Sequence, residues 1–149
     1  MTEVLFYHLE QASLEHVLPD LLEKSLERGW NVVVQASSNE RIEALDQHLW
    51  TYKDDSFLAH GSAEDGHVEL QPVFLTTSED NPNAASVRFF VDGAEAENLS
   101  DYERVVHLFD GGNEVAVAAA RILWKQAASD GLQATYWQQN EQGRWEKKA

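Results

Sequence analysis

Two basic side chains, four residues apart, form the pair in this sequence best suited to holding an anion. Arg121 and Lys125 lie in an alanine-rich stretch, and no acidic residue follows them before Asp130. On a helix this spacing places both on one face, about one turn apart. Such a pair can hold a carboxylate or an acidic peptide through charge-assisted hydrogen bonds. A solvated helix face is the commoner explanation of two charges at this spacing, and the residues alone leave both explanations open.

A second candidate binding feature consists of large apolar side chains near the middle of the chain. Trp50 ends a predicted helix, and Phe57 and Leu58 follow in a segment rich in Asp, Ser and Gly. Aromatic residues on irregular segments often anchor partner proteins, because they desolvate a large area on binding. The alternative is that these side chains fold inward as part of the core. The residue types do not distinguish the two.

Catalytic and metal-binding patterns are not evident. The chain has no cysteine, which excludes disulfides, thiolate zinc sites and a thiol nucleophile. There is neither a nucleophile elbow nor a phosphate-binding loop. Asp110 to Glu114 resembles a calcium loop only faintly, and better fits a turn with Asn113 capping the next helix. We therefore predict a protein that is not an enzyme and uses no cofactor or metal. No two of its histidines have the i, i+4 spacing of metal ligands: His8, His16, His48, His60, His67 and His107.

The net charge of −15 limits the classes of partner. Nucleic-acid affinity comes largely from Lys and Arg neutralising phosphates, so we expect contact with DNA to be only indirect. The N-terminus lacks the basic region and the apolar run of a signal peptide. No stretch approaches the roughly 20 apolar residues that cross a bilayer. These features predict a soluble, cytoplasmic protein with no membrane association.

Apolar periodicity predicts the elements that must position these residues. A buried strand at 4–9 is followed by a helix at 13–28, in which Pro19 is expected to cause a kink or a restart. A second strand at 30–36 completes a parallel βαβ unit, closed by a helix from Ser38. The other predictions are strands at 68–76, 87–91, 105–109 and 134–139, a helix at 114–129, a hairpin-like return at Gly143 and Trp145, and an irregular segment at 51–67.

Together these elements predict one α/β domain over residues 1–149, with a mostly parallel sheet flanked by helices. The residues between the first strand and its helix read LEQASL. They lack the glycines with which dinucleotide-binding folds bring the backbone close to a pyrophosphate. We therefore expect no nucleotide at this turn.

At these same segments the sequence resembles the chi subunit family of the DNA polymerase III clamp-loader assembly. The resemblance extends over nearly the whole chain. It rests most on Leu-Asp-x-x-Leu-Trp at 45–50 and Ser-Phe-x-x-His at 56–60. Weaker pieces occur in the same order: Phe6-Tyr7-x-Leu9, Pro72-Val73, Ala120-Arg121, Lys125 and Gly131. The resemblance implies a Rossmann-like fold that does not bind a nucleotide.

The resemblance also implies a non-catalytic replication adaptor. In the family, a basic and apolar pocket on the late helix captures the acidic C-terminal tail of single-stranded-DNA-binding protein, which ends in Pro-Phe. Carried over by position, Arg121 and Lys125 would pair with the carboxylates of the tail. By helical spacing, Val117 and Trp124 would lie beside the slot for the terminal phenylalanine. Val117 stands where the enterobacterial pattern has a lysine, so we expect this pocket to have one charge fewer, and either to bind more weakly or to use other residues.

A second partner surface is implied around Trp50, Phe57, Leu58 and His60, for the psi subunit or for an XPD-like helicase. Two other classes of function remain as alternatives. One is a small enzyme of nucleotide metabolism or a transferase on a Rossmann-like scaffold, because a fold does not fix a function. The other is a structural oligomerisation domain.

Overall fold

Strands and helices alternate along most of the chain, as an α/β fold requires. The computed structural model describes residues 2–10, 14–51, 61–62, 71–91, 93–94, 102–142 and 144–148. For Trp50 and Thr51 it describes the backbone but not the side chain. The elements are β1 (Glu3–Leu9), α1 (Leu14–Glu27), β2 (Val32–Gln35), α2 (Asn39–Thr51), β3 (Gly61–Ser62), β4 (Val73–Thr76), β5 (Val87–Phe90), β6 (Arg104–Asp110), α3 (Glu114–Ser129), β7 (Gln133–Gln139) and β8 (Trp145–Lys147).

The described strands form one sheet in the order β3-β4-β2-β5-β6-β1-β7-β8. Every pairing is parallel except that of β7 with β8, which is an antiparallel hairpin. The predicted α/β class and mostly parallel sheet are confirmed, as is the return at Trp145. Strands β1 and β2 run parallel, as the βαβ prediction requires. They are not neighbours in the sheet, because β5 and β6 lie between them.

Helices cover both faces of this sheet. The first core cluster joins α1 and α2 to one face, with Leu18, Leu22 and Leu45 completely buried. The second cluster joins α3 to the other face through Ala120 and Ala127. Because side chains alternate along a strand, each central strand contributes to both clusters, and its sequence is almost continuously apolar. The two helix layers therefore present separate outer surfaces.

Pro19 lies inside α1, which runs through it without restarting. Proline has no backbone N–H, so the carbonyl of Glu15 loses its usual partner within the helix. Instead, Nε2 of His48 on α2 forms a hydrogen bond with that carbonyl oxygen. A nearby ion pair between the Glu15 carboxylate and Arg41 also joins the two helices. The cost of an internal proline is thus offset by a contact between neighbouring helices.

Part of the segment at 51–67, predicted to be irregular, is ordered in the sheet. Thr51 ends α2, and Gly61–Ser62 forms the short strand β3, which pairs with β4. A two-residue strand carries too little alternation to be recognised from sequence. The predicted binding residues Phe57, Leu58 and His60 lie outside the described residues, as does the predicted helix cap Ser13.

Arg88 of β5 is completely buried. All five of its N–H groups are used. Nε and one terminal nitrogen donate to the side-chain oxygen of Gln35. The remaining donors reach the carbonyls of Ser78 and Asp80, and the hydroxyl of Tyr102 at 3.0 Å. Every one of these acceptors is neutral, so the cation is held by hydrogen bonds instead of an ion pair.

His107 lies at the centre of the sheet between two aromatic rings. Phe6 of β1 and Phe90 of β5 are its partners in register on either side. Both rings stack on the imidazole with centroid separations of 4.9 Å. Burial lowers the pKa of His107 to about 4, so the side chain is neutral at pH 7.

Candidate peptide-binding surface on helix α3

Helix α3 begins at a tight turn after β6. Asn113 caps the helix, as predicted, because its side-chain oxygen accepts hydrogen bonds from the backbone N–H groups of Val115 and Ala116. Gly111 donates its N–H to the carbonyl of Leu9 at 2.7 Å. A Cβ at Gly111 would lie 2.1 Å from Nε2 of His8, so only glycine allows β1 and the turn to approach this closely. The turn thereby fixes the start of α3 relative to β1.

Small side chains set the orientation of α3. Ala120 and Ala127 are buried against the sheet, two turns apart on one face. This close approach leaves the next positions on the outer face, where Arg121 and Lys125 are both exposed. Neither of them forms an ion pair or hydrogen bond with another described residue. The two predicted cations therefore share an exposed face, one turn apart.

The two predicted apolar neighbours occupy less exposed positions on the same helix. Val117 is half-buried, one turn before Arg121. Trp124 is also half-buried and packs against the second core cluster. Its indole N–H is buried and donates to no described group. Whether these side chains flank a slot for a phenylalanine remains a prediction.

Sequence reasoning missed two exposed apolar residues on α3. Val115 is 79% exposed and Ile122 is 66% exposed, although both are large and aliphatic. They are seven apart, so they lie near one line along the helix. The exposure of some apolar residue on α3 could have been inferred from its sequence. The apolar residues of this helix cover more of its surface than the single stripe that packs on a sheet. Along the helix axis Ile122 lies between Arg121 and Lys125, but it is about 100° around the axis from Arg121 and about 60° from Lys125.

A polar cluster beside α3 was also missed. His8 Nδ1 and the Tyr136 hydroxyl are 2.8 Å apart, and His8 Nε2 lies 3.1 Å from the carboxylate of Glu10. Burial lowers the pKa of His8, Glu10 acts in the opposite direction, and the charge of Arg121 lowers it further. Burial raises the pKa of the Tyr136 phenol, and Arg121 opposes that shift. Arg121 is therefore close enough to act electrostatically on a neutral imidazole and a neutral phenol.

A crevice of about 890 Å³ lies beyond the carboxyl ends of β1 and β6, where open α/β sheets usually bind their ligands. Its lining includes the carboxylates Glu10, Glu15 and Asp110, and one cation, Arg41. Burial alone would raise the pKa of Glu15, but a backbone hydrogen bond and Arg41 together hold it below its ordinary value. An acidic lining of this kind disfavours a polyphosphate ligand.

Neither a metal centre nor a membrane segment is found in the part of the chain that the structure describes. Within the described ranges, no three His, Asp or Glu side chains are grouped closely enough to hold a metal ion. None of the described helices is long and apolar enough to cross a membrane.

Comparison with known proteins shows the family of this chain. The family model described as DNA polymerase III chi subunit, HolC, matches residues 1–135. The chain belongs to the DNA polymerase III chi subunit family. A relative from Rickettsia prowazekii (strain Madrid E), named as a probable DNA polymerase III subunit chi, is 26% identical over 109 residues. That alignment covers 73% of this chain and 66% of the relative, slightly less than two thirds of its length.

The match to the chi family includes Trp50 and all four predicted residues of α3. It ends at residue 135, within β7, so β8 and the turn that leads to it lie beyond the matched residues. The matched residues therefore contain the three helices, strands β1 to β6 and the first residues of β7. The antiparallel hairpin is completed by residues outside the match.

Proposed function

We propose that this chain is a non-catalytic replication adaptor, which links the clamp loader of the DNA polymerase III holoenzyme to the acidic C-terminal tail of single-stranded-DNA-binding protein. The observation that carries this proposal is the exposed pair Arg121 and Lys125 on α3. Neither cation is neutralised by another described residue, although the chain as a whole has a charge of −15. Membership of the chi family supports the same role. Such a role would place the chain in the cytoplasm and its contact with DNA would be indirect.

The net charge does not prevent an acidic ligand from binding to this surface. Charges more than about 8 Å away are largely screened at physiological ionic strength, whereas a hydrogen-bonded ion pair acts at about 3 Å. Arg121 and Lys125 can each contact a separate carboxylate of an extended tail. Ile122 and Val117 lie on opposite sides of the line through Arg121 and Lys125, and each offers apolar surface beside the cations to the terminal phenylalanine. Binding should therefore be weak and sensitive to salt.

A second surface at the other end of the sheet would complete the adaptor. Trp50 is in the last turn of α2, and α2 packs on β3 and β4 at the sheet end opposite to β7 and β8. With Phe57, Leu58 and His60, it is proposed to contact the psi subunit or an XPD-like helicase. Helix α3 packs on β6, β1 and β7, and α2 packs on the other face at β3 and β4, so two such surfaces would allow both partners to bind at the same time.

The enzyme alternative is less well supported. A catalytic site would be expected in the crevice beyond β1 and β6, with acids or bases tuned to exchange protons near pH 7. Glu15 has a lowered pKa because it is held as a carboxylate by Arg41 and a backbone hydrogen bond. That is the environment of a structural ion pair, and it does not favour proton transfer.

Substitution of Arg121 is expected to weaken binding of the tail peptide about tenfold, which corresponds to about 1.4 kcal/mol. The reason is the loss of one charge-assisted hydrogen bond on an exposed surface. Isothermal titration calorimetry with the full chain and a peptide of the tail measures the effect for Arg121→Ala and Lys125→Ala. Arg28→Ala is the matched control, because Arg28 is exposed on the opposite face of the sheet, where it stacks over Trp30.

Two further titrations test the details of the α3 surface. A tail peptide without its last phenylalanine should bind at least several-fold more weakly. Val117→Lys adds a third cation one turn before Arg121, so it should tighten binding several-fold at low salt. Equal binding of the two peptides, or unchanged affinity in Arg121→Ala, would show that the tail does not bind here.

A further inference from the structure

An aromatic groove lies between helix α1 and the β7–β8 hairpin, on the sheet face opposite to α3. Its volume is about 660 Å³, and its floor includes Tyr7, Trp137 and Trp145. The rings of Tyr7 and Trp145 meet edge to face at 5.0 Å. Leu21 of α1 supplies an apolar wall. All four side chains are half-buried, so part of their apolar surface is open to a ligand.

The groove is bordered by the outer edge of β8. Asn140 donates its N–H to the carbonyl of Arg144, and Lys148 donates its N–H to the carbonyl of Tyr136, both at 2.8 Å. Backbone groups alternate in direction along an antiparallel strand, so those of Trp145 and Lys147 point away from β7. No described strand pairs with this edge. Two residues of β8 thus present donors and acceptors to an additional strand.

The edge strand is cationic within an acidic protein. Residues 144–148 contain three cations and one carboxylate, whereas the chain carries −15. Trp145 faces the groove, so by alternation Lys147 shares that side. The side chains of Arg144, Glu146 and Lys148 are on the other side, and all three are exposed. Neither Arg144 nor Lys148 forms an ion pair with a described residue.

We propose that the β8 edge and its aromatic groove bind an extended, acidic segment of a partner protein, which adds to the sheet as a further strand. Main-chain hydrogen bonds to Trp145 and Lys147 would provide affinity, and pockets for alternate side chains would provide specificity. Carboxylates of the segment pair with Arg144 and Lys148, and a neutral residue lies opposite Glu146. The residues between them are apolar and enter the groove.

The alternation of side chains along β8 predicts the residue types at successive positions of the bound segment, and not only its net charge. The segment has acidic residues at positions i and i+4, a neutral residue at i+2 and apolar residues at i+1 and i+3. The inference does not depend on the proposed tail-binding role of α3, because it rests on the β8 edge and on a groove on the other face of the sheet. Arg144 and Lys148 project on the same face as α3, so the test includes a variant without the α3 cations. It also concerns a strand that lies beyond the residues matched by the chi family.

A peptide fits this site better than single-stranded DNA does. Aromatic and basic side chains together can also bind nucleic acid by stacking and phosphate pairing. Here, however, Asp20 lines the groove beside Lys24, and Glu146 lies between Arg144 and Lys148. Both carboxylates would repel a continuous row of phosphates. The outward-facing backbone groups of β8 are complementary to another strand and have no such role with DNA.

A charge-swap experiment on the full chain tests the proposal. The probe is a synthetic peptide with the core Asp-Phe-Thr-Val-Asp, flanked by threonines, and its control has lysine in place of both aspartates. We expect the acidic probe to bind at least tenfold more tightly than the basic one. In the double variant Arg144→Glu with Lys148→Glu this preference should reverse. Nuclear magnetic resonance titration should show shifts at the indole N–H of Trp137 and Trp145 and at the β8 amides.

Three controls separate strand addition from nonspecific attraction. Methylation of the probe backbone at its central amides should weaken binding at least tenfold, because it removes the main-chain donors. The variant Arg121→Ala with Lys125→Ala should keep the preference for the acidic probe. An oligothymidylate should not displace the probe. The proposal is overturned if neither peptide binds at millimolar concentration, if the charge swap does not reverse the preference, or if the oligothymidylate binds more tightly than the probe.

Discussion

Replacement of Arg88 by alanine is expected to lower the free energy of unfolding by about 3–5 kcal/mol, which is a large part of the stability of a domain of this size. The substitution removes a donor from the buried side chains of Gln35 and Tyr102, and from the partly buried carbonyls of Ser78 and Asp80. An unsatisfied buried polar group costs about 1–3 kcal/mol. The space left by the guanidinium adds a cavity.

Urea unfolding followed by circular dichroism measures this effect, and two further variants identify its cause. Arg88→Lys keeps the charge but has three donors instead of a planar set of five, so it should restore only part of the stability. Arg104→Ala is the matched control on the neighbouring strand β6. Arg104 is partly exposed and pairs with Glu3 at 2.8 Å, so its loss should cost about 1 kcal/mol or less. A loss below 1 kcal/mol for Arg88→Ala would show that these hydrogen bonds contribute little.

Acid should destabilise the chain through His107. The pKa of this residue is about 4 in the folded state, against an ordinary value of about 6.5 when unfolded. Between these values the unfolded state binds a proton and the folded state does not, so stability is fully present above pH 6.5 and falls as the pH decreases toward 4. At pH 4.5 the expected loss from this one group is about 2–3 kcal/mol relative to pH 7.

The variant His107→Phe separates this effect from the titration of carboxylates. Phenylalanine has a similar shape, can stack between Phe6 and Phe90, and does not bind a proton. Its stability relative to the natural chain should therefore rise by about 2–3 kcal/mol between pH 7 and pH 4.5 in urea unfolding. His16→Gln is the matched control, because it removes a histidine that is exposed instead of buried between aromatic rings. Parallel pH profiles for the natural chain and His107→Phe would contradict the assignment.

The sequence predicted local elements well because their signals are local. Ile42, Leu45 and Leu49 recur at helical spacing in the sequence, and all three are buried in the first cluster. The limits of α3 followed from the cap at Asn113 and from Gly131, which has a positive φ of 79°. Strand order did not follow from sequence, because parallel strands of similar apolar composition can be arranged in several ways. The two strands between β1 and β2 are an example.

The candidate sites show the same division. The shared face of Arg121 and Lys125 could be predicted, because helical spacing alone determines it. The exposure of Ile122 could not, because it depends on Ala120 and Ala127 bringing α3 close to the sheet. The groove at Trp137 and Trp145 could not be predicted either, because it depends on which strand lies beside β1. The surroundings of Arg88 likewise combine residues that are distant in sequence.

The bond between His48 and the Glu15 carbonyl has a consequence for the evolution of this chain. The carbonyl is available because Pro19 cannot donate to it. A residue with an N–H at position 19 would donate to the same carbonyl within α1, so His48 would share its acceptor and its contact with α1 would weaken. Selection would then act on the proline and the histidine as a pair. In close relatives we expect positions 19 and 48 to change together. Where the proline is replaced, the contact between α1 and α2 should differ as well.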